Sequence, residues 1–333
     1  MNENLVLRAR LPLLWQRPTQ VRIGTDPRWA VVLDDLSPAA ARALLAVRPG
    51  ASVRVLRATL TRERVPAAEA DIVLGHLESA HLLVAPHPSE TPDAATWSLL
   101  EASGDGAAVL RRRSGARVRV CGLCRVGGGL AMTLANAGIG RLELEDDAAV
   151  SRHESGWAGL TLRDVGTPRT EALFRALRDA VPAVRTQLPG SAQVDLVVLV
   201  EHGVADPVRS RELLSAGVAH LPVVLREASV MVGPLIRSGG SPCLRCVELH
   251  RGERDPGWPA VAAQLAARAT SFPAESTLAA VAAALAATAV LAHVDGRATS
   301  VDGAALEVRL PDALPRRTLW PAHPDCGCAG LPS

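Results

Sequence analysis

Two thiol pairs stand far apart in the chain: Cys243 and Cys246 in P-C-L-R-C, and Cys326 and Cys328 in D-C-G-C. Two close pairs can close a tetrahedral zinc shell with no position left for a metal-bound water, so the expected role is structural. A redox pair is the competing reading, and the presence of a second thiol pair favours zinc. The chain has six cysteines. Met1 is followed by polar residues and no short apolar run, so no secretory signal is expected and the thiols are read as free or metal-bound, in a cytoplasmic protein. Cys121 and Cys124 repeat the C-x-x-C spacing but follow an apolar strand, and are expected to be small buried side chains.

A second stretch with chemical content runs from Val118 to Val150. An apolar strand (Val118, Val120) leads into Gly122, Gly127, Gly128 and Gly129, an Ala- and Leu-rich helix to Ala137, a second strand Leu142–Leu144, and Asp146. In a βαβ unit the glycine turn brings backbone close to a phosphate at a helix N-terminus, and the acid after the second strand can accept from a ribose hydroxyl. The match to G-x-G-x-x-G is loose, because Cys124 stands where the middle glycine would be. Asp195–Val200 (D-L-V-V-L-V) reads as a buried parallel strand, with Glu201, His202 and Gly203 at the end where α/β sheets place their ligands.

The elements around these residues divide the chain into three segments. In residues 1–86, Gln20–Gly24 and Trp29–Leu33 form a hairpin around Thr25-Asp26-Pro27. Ser37-Pro38 opens a helix to Leu45, and further helices span Val53–Leu60 and Ala67–Ala80. Leu82–Val84 is a closing strand. This order describes a winged helix-turn-helix. Its third helix carries Glu69, Asp71 and Glu78 and no Arg, which argues against insertion into a DNA groove. Peptide capture at the sheet edge is the alternative use, with Ile72, Leu77 and Leu82 as candidate groove residues; each could equally fill the module's own core. Residues 87–114, with Pro88 and Pro92 among them, read as a linker in which only Trp97–Ala102 and Ala107–Leu110 are ordered. Residues 115–330 form an α/β domain with a helix Pro168–Val181, a helix Arg211–Ala216, strands Leu221–Leu225 and Ser229–Val232, and a buried helix over Leu278–Ala292, a run too short for a bilayer.

The chain has 333 residues, 48% of them hydrophobic, and a formal net charge of +2. That balance gives no bulk electrostatic reason for nucleic-acid or membrane binding. There is no lysine, so any site needing a basic group must use Arg.

G-L-C-R-V-G-G-G…A-G-I-G, E-D-D-A-A-V, D-V-G-T-P-R-T-E-A-L, D-L-V-V-L-V and the C-x-x-C…C-x-C pattern resemble the ThiF and ubiquitin-activating-enzyme superfamily. C-L-R-C-V-E-L-H-R with D-P-G-W-P-A and A-A-Q-L resembles the ocin-ThiF-like proteins of azoline-containing ribosomal peptide (TOMM) biosynthesis. The resemblance spans nearly the whole chain. It implies a Rossmann-like ThiF-type domain with a mostly parallel sheet, preceded by a precursor-peptide recognition element that binds a leader peptide, with structural Zn²⁺ at Cys243, Cys246, Cys326 and Cys328. A homodimer and a partner YcaO-type cyclodehydratase are implied as well.

Active members of the superfamily adenylate a carboxylate with ATP and Mg²⁺. The resemblance keeps Gly122, Gly127, Gly129, Asp146 and Arg169 as a vestigial nucleotide site, Arg169 standing for a Lys. The second acid of the family falls on Ala148, its Asn-x-x-Arg on Glu154 and Trp157, and its metal-holding Asp on His202. ATP is therefore not expected as a cofactor. The leading expectation is a non-catalytic leader-binding scaffold; an adenylating enzyme with an altered site and a nucleotide-sensing winged-helix regulator are the alternatives.

Overall fold

A computed structural model describes residues 2–87, 91–190, 193–239, 242–268 and 271–330; Pro88 lies outside them. The chain divides into two compact units, Met1–Arg111 and Arg112–Ser333.

In the first unit, β1 (Val6–Leu7) pairs antiparallel with β5 (Leu83–Val84). The strands β2 (Leu13–Arg17), β3 (Gln20–Ile23) and β4 (Val31–Leu33) form an antiparallel meander, with Leu13 opposite Ile23 and Val21 opposite Leu33. Between β4 and β5 lie α1 (Pro38–Leu45), α2 (Val53–Arg62) and α3 (Ala67–Ser79). Ser37 and Ser52 cap the first two helices through their hydroxyls, accepting from Ala40 N at 3.1 Å and Val55 N at 3.3 Å. Val21, Ile23, Leu44, Leu56, Leu74 and Leu77 are fully buried together, each such side chain contributing roughly 1.5–3 kcal/mol.

Three expectations need correction here. The sequence reading missed β1 and β2: β1 is two residues long, and L-L-W-Q-R lies largely exposed at the edge of its sheet, so no alternation marks it. Leu77 (0% exposed) and Leu82 (3%) belong to the unit's core and line no groove, whereas Ile72 is 58% exposed. Among the described residues, the segment 87–114 is not an open linker. It holds α4 (Pro92–Leu100), capped by Thr91, and much of α5 (Gly106–Gly115). The buried Arg8 guanidinium fixes the end of α4 and the loop after it, donating to Ser98 O at 2.6 Å, Glu101 O at 3.0 Å and Ala102 O at 2.9 Å as well as to His81 O at 2.8 Å. A Pro- and Gly-rich composition conceals this order, which depends on one arginine ninety residues upstream.

The second unit is an α/β domain around an eight-stranded sheet. Its strands are β6 (Arg117–Cys121), β7 (Arg141–Glu145), β8 (Arg185–Gln187), β9 (Leu196–His202), β10 (His220–Leu225), β11 (Ser229–Val232), β12 (Ala304–Arg309) and β13 (Pro315–Leu319). The order is β13-β12-β11-β10-β9-β6-β7-β8. The five strands from β10 to β8 are parallel, and β11, β12 and β13 add antiparallel. The helices are α6 (Arg125–Asn136), α7 (Arg169–Ala180), α8 (Pro207–Ser215), α9 (Leu244–Arg254), α10 (Trp258–Ala267) and α11 (Ser276–Val294). Strand alternation splits the core across the sheet: Leu221, Val223 and Leu225 of β10 join the cluster that holds α6 and α11, and Val224 joins the cluster of α9 and the cysteines. The helix α11 is longer than its apolar run suggested and is long and apolar enough to cross a membrane. Its Leu278, Ala282, Ala286 and Val290 are buried in the core against α6 and the sheet. A buried ion pair, Arg113 to Asp295 at 2.7 Å, lies under 3% exposed on both sides.

Candidate functional site

The carboxyl ends of β6, β7 and β9 converge on a cavity of about 290 Å³ lined by Cys121, Gly122, Cys124, Glu145, Asp146, Asp147, Arg169, Glu201, His202 and Arg209, among others. The turn after β6 requires glycine. Gly122 has φ +87°, and a Cβ there would meet Val200 O at 2.2 Å; a Cβ on Gly127 would meet Gly122 O at 1.8 Å. Gly129 lies farther along α6, where a Cβ would meet Trp157 Nε1 at 3.0 Å. It packs against the helix's neighbours and does not line the cavity.

Asp146 sits where the sequence places it, just after β7, but its carboxylate is already engaged. Its Oδ2 accepts from Leu123 N at 2.5 Å and from Arg169 Nη1 at 3.2 Å, and its Oδ1 accepts from Ala148 N at 2.7 Å. Arg169, at the start of α7, also pairs with Glu154 at 3.0 Å. Glu154 is buried, and its other oxygen accepts from Ser151 N at 2.8 Å and Ser151 Oγ at 2.7 Å. Burial pulls the Arg169 guanidinium down, but Asp146 and Glu154 outweigh it and hold the group above its ordinary value.

The second arginine of the cavity is held as well. Arg209 pairs with Glu145 and contacts Cys121 Sγ at 3.0 Å. Burial pushes the Cys121 thiol up to about 12, so it is a protonated thiol at neutral pH. At the end of β9, burial and then the Arg169 charge push the His202 imidazole down, and its Nδ1 accepts from Phe272 N at 3.0 Å. A neutral ring replaces neither a cation for phosphate nor a carboxylate for magnesium. Glu201 Oε1 accepts from Asp206 N at 3.1 Å, its buried Oε2 has no partner, and burial raises its carboxyl to about 7. Trp157 Nε1 donates to Arg125 O at 2.6 Å, and its ring lies 5.0 Å beneath the Arg125 guanidinium, which donates in turn to Ala274 O and Ser276 Oγ.

The four cysteines of the separated pairs meet. Cys243 caps α9, Cys246 lies one turn on, and the tail brings Cys326 and Cys328 against them. Cys243 Sγ is 3.9 Å from Cys246 Sγ and 3.5 Å from Cys326 Sγ, and Cys246 Sγ is 3.3 Å from Cys328 Sγ. None is in a disulfide. A tetrahedral zinc–thiolate shell needs sulfur atoms about 3.8 Å apart, so the residues fit a structural zinc ion.

A family model described as ThiF family matches residues 98–329. The chain belongs to the ThiF family. Similar solved ThiF-like folds include E. coli MccB with AMPCPP and MccA (TM-score 0.72, 15% identity, covering 98% of this chain and 99% of that one). The microcin C7 biosynthetic enzyme MccB in complex with N-formylated MccA aligns with TM-score 0.69 at 16% identity over 98% and 99%. PaaA aligns with TM-score 0.70 at 14% identity over 93% and 98%. No curated protein sequence matches the chain significantly.

Within this ThiF fold, Gly122, Asp146 and Arg169 of the expected nucleotide-site residues line one cavity together with Glu201 and His202, whereas Gly127 and Gly129 do not line it. That reading missed Glu145, Arg209 and the role of Cys121. The signal for Arg209 was present: Asp206-Pro207 is an N-cap followed by proline at the first helical position, so α8 begins there and not at Arg211. The pairing of Arg209 with Glu145 carries no local signal, since 64 residues separate them.

Proposed function

We propose that this ThiF-family chain is a leader-peptide-binding scaffold that captures a ribosomal precursor peptide and presents it to a YcaO-type cyclodehydratase for azoline formation. It acts in the cytoplasm as a homodimer, with its tail held by zinc on Cys243, Cys246, Cys326 and Cys328. One observation carries the non-catalytic reading: both arginines of the cavity are held by carboxylates, Arg169 by Asp146 and Glu154 and Arg209 by Glu145. A triphosphate entering this cavity would have to displace those carboxylates and face Asp147 and Glu201 besides, with the neutral His202 where a metal-holding acid is expected. Charge clamps on phosphate are the main catalytic resource in such chemistry, and here they are neutralised internally. These residues do not fit a triphosphate with its magnesium.

Peptide capture belongs to the first unit in this reading, as a winged helix with an exposed sheet. Leu14, Arg22 and Val32 lie side by side across β2, β3 and β4, with Leu14 and Val32 exposed, and Ile72 is exposed on α3. An extended peptide can pair with a sheet edge while side chains of this kind provide specificity. Solved relatives of the same architecture hold the peptide MccA, which supports a peptide partner. Calorimetry of the full-length chain with candidate leader peptides, beside an ATP titration, tests the proposal: micromolar peptide binding without ATP binding is expected.

A second reading, an ATP-dependent adenylating enzyme acting on a peptide carboxylate, is favoured by the buried Glu201 Oε2 in the cavity, an acceptor left without a protein donor, and by the relative solved with ATP. Mg²⁺-dependent ATP–pyrophosphate exchange in the presence of the peptide would establish it.

A further inference from the structure

We infer that His250, Glu253 and His323 form a second divalent-cation site beside the four thiols. The helix α9 places Cys246, His250 and Glu253 at spacings of four and three residues, which brings them to one side of the helix. The same tail that carries Cys326 and Cys328 brings His323 onto that side. His250 Nδ1 lies 3.1 Å from Glu253 Oε2 and His323 Nε2 lies 2.9 Å from Glu253 Oε1. All three ligand atoms fall within 4.8 Å of one another. The His323 side chain is 2% exposed and that of Glu253 is 60% exposed, so the cluster has a buried floor and one side open to solvent.

Counting hydrogens points to a cation. His250 Nε2 faces Pro321 O at 3.2 Å, an acceptor only, so that nitrogen carries a proton. The other ring nitrogen, Nδ1, then faces a carboxylate. A neutral ring would set a lone pair against Glu253 Oε2, and a metal ion shared between them removes that conflict. The Nε2–H to carbonyl contact is the outer-shell bond that orients a metal-binding histidine. His323 Nδ1 accepts from Asp325 N at 3.1 Å, so without metal its Nε2 proton points at Glu253. A metal ion on Nε2 requires the other tautomer, with the proton moved to Nδ1, so the Asp325 N–H contact must open when the ion binds. Two imidazoles and one carboxylate are a donor set suited to zinc or a similar borderline ion, with one coordination position left open to water. The two sites share the tail backbone, since Cys326 N donates to His323 O at 3.0 Å.

Cobalt distinguishes the two sites on the full-length protein. Thiolate ligation gives intense charge-transfer absorption, which a site of nitrogen and oxygen ligands lacks. Titrating metal-free protein with Co²⁺ should fill two sites per chain, with charge-transfer bands saturating at one equivalent and only weak visible bands growing with the second. Glu253→Gln, at an exposed position, should bind one equivalent with the charge-transfer bands intact. Saturation at one equivalent in the parent protein, or two equivalents retained in Glu253→Gln, would overturn the inference. The intact charge-transfer bands themselves report that the variant has folded.

Discussion

Arg169 reaches two carboxylates at once, Asp146 at 3.2 Å and Glu154 at 3.0 Å, and Glu154 is held by Ser151 from the other side. The basic group that faces the cavity is thereby committed to the protein. Removing Glu154 leaves the arginine with Asp146 alone. Glu154→Ala should lower stability by about 1–3 kcal/mol, as expected for a buried charge that loses one of two partners. Denaturant unfolding measures that cost. Parallel titrations should find no ATP binding in the parent; tight Mg–ATP binding by the parent would end the scaffold reading.

Glu201 gives the protein a pH signature. Burial raises its carboxyl from 4.5 to about 7, so between those values the folded state holds more protons than the unfolded state. Stability therefore falls as pH rises through that window, by on the order of 3 kcal/mol at most. Glu201→Gln should remove this component, leaving melting temperatures flatter between pH 5 and 7 and the variant more stable than the parent at pH 8. An unchanged slope in the variant would assign the pH dependence elsewhere.

The four thiols bring the C-terminal tail against α9, with Cys243 and Cys326 both buried, and zinc is the ion proposed to hold them together. Cys326→Ser combined with Cys328→Ser should lose the thiolate-bound metal and lower the melting temperature in the same preparation. Plasma emission analysis with calorimetry reads both, and full metal retention in the double variant would place the ligands elsewhere.

In the first unit, surface and core positions on one helix predict opposite outcomes. Ile72→Arg, at an exposed site, should weaken leader-peptide binding at least tenfold and leave the melting temperature within a degree or two. Leu77→Ala, at a fully buried site, should cost about 2–5 kcal/mol through the core. Unaltered peptide affinity in Ile72→Arg would remove α3 from the binding surface.

The sequence by itself determined what depends on local pattern. The parallel run D-L-V-V-L-V, the glycine turn after β6, the acid after β7 and the paired thiols each carry their constraint within a few residues, because strand burial, a positive φ and metal-ligand spacing are local demands. The ordered segment after β5 was hidden because its partner is Arg8, and β2 because an exposed edge strand needs no alternation. Which residues of α3 face outward followed from packing, which placed Leu77, and Leu82 beyond the helix, in the core. The charge state of the cavity was also decided only in three dimensions. The sequence gives the presence of Arg169 and Arg209, but whether an arginine is available to a phosphate depends on what lies within a hydrogen bond of it. Here Glu154 and Glu145, brought in by separate loops and strands, take that place.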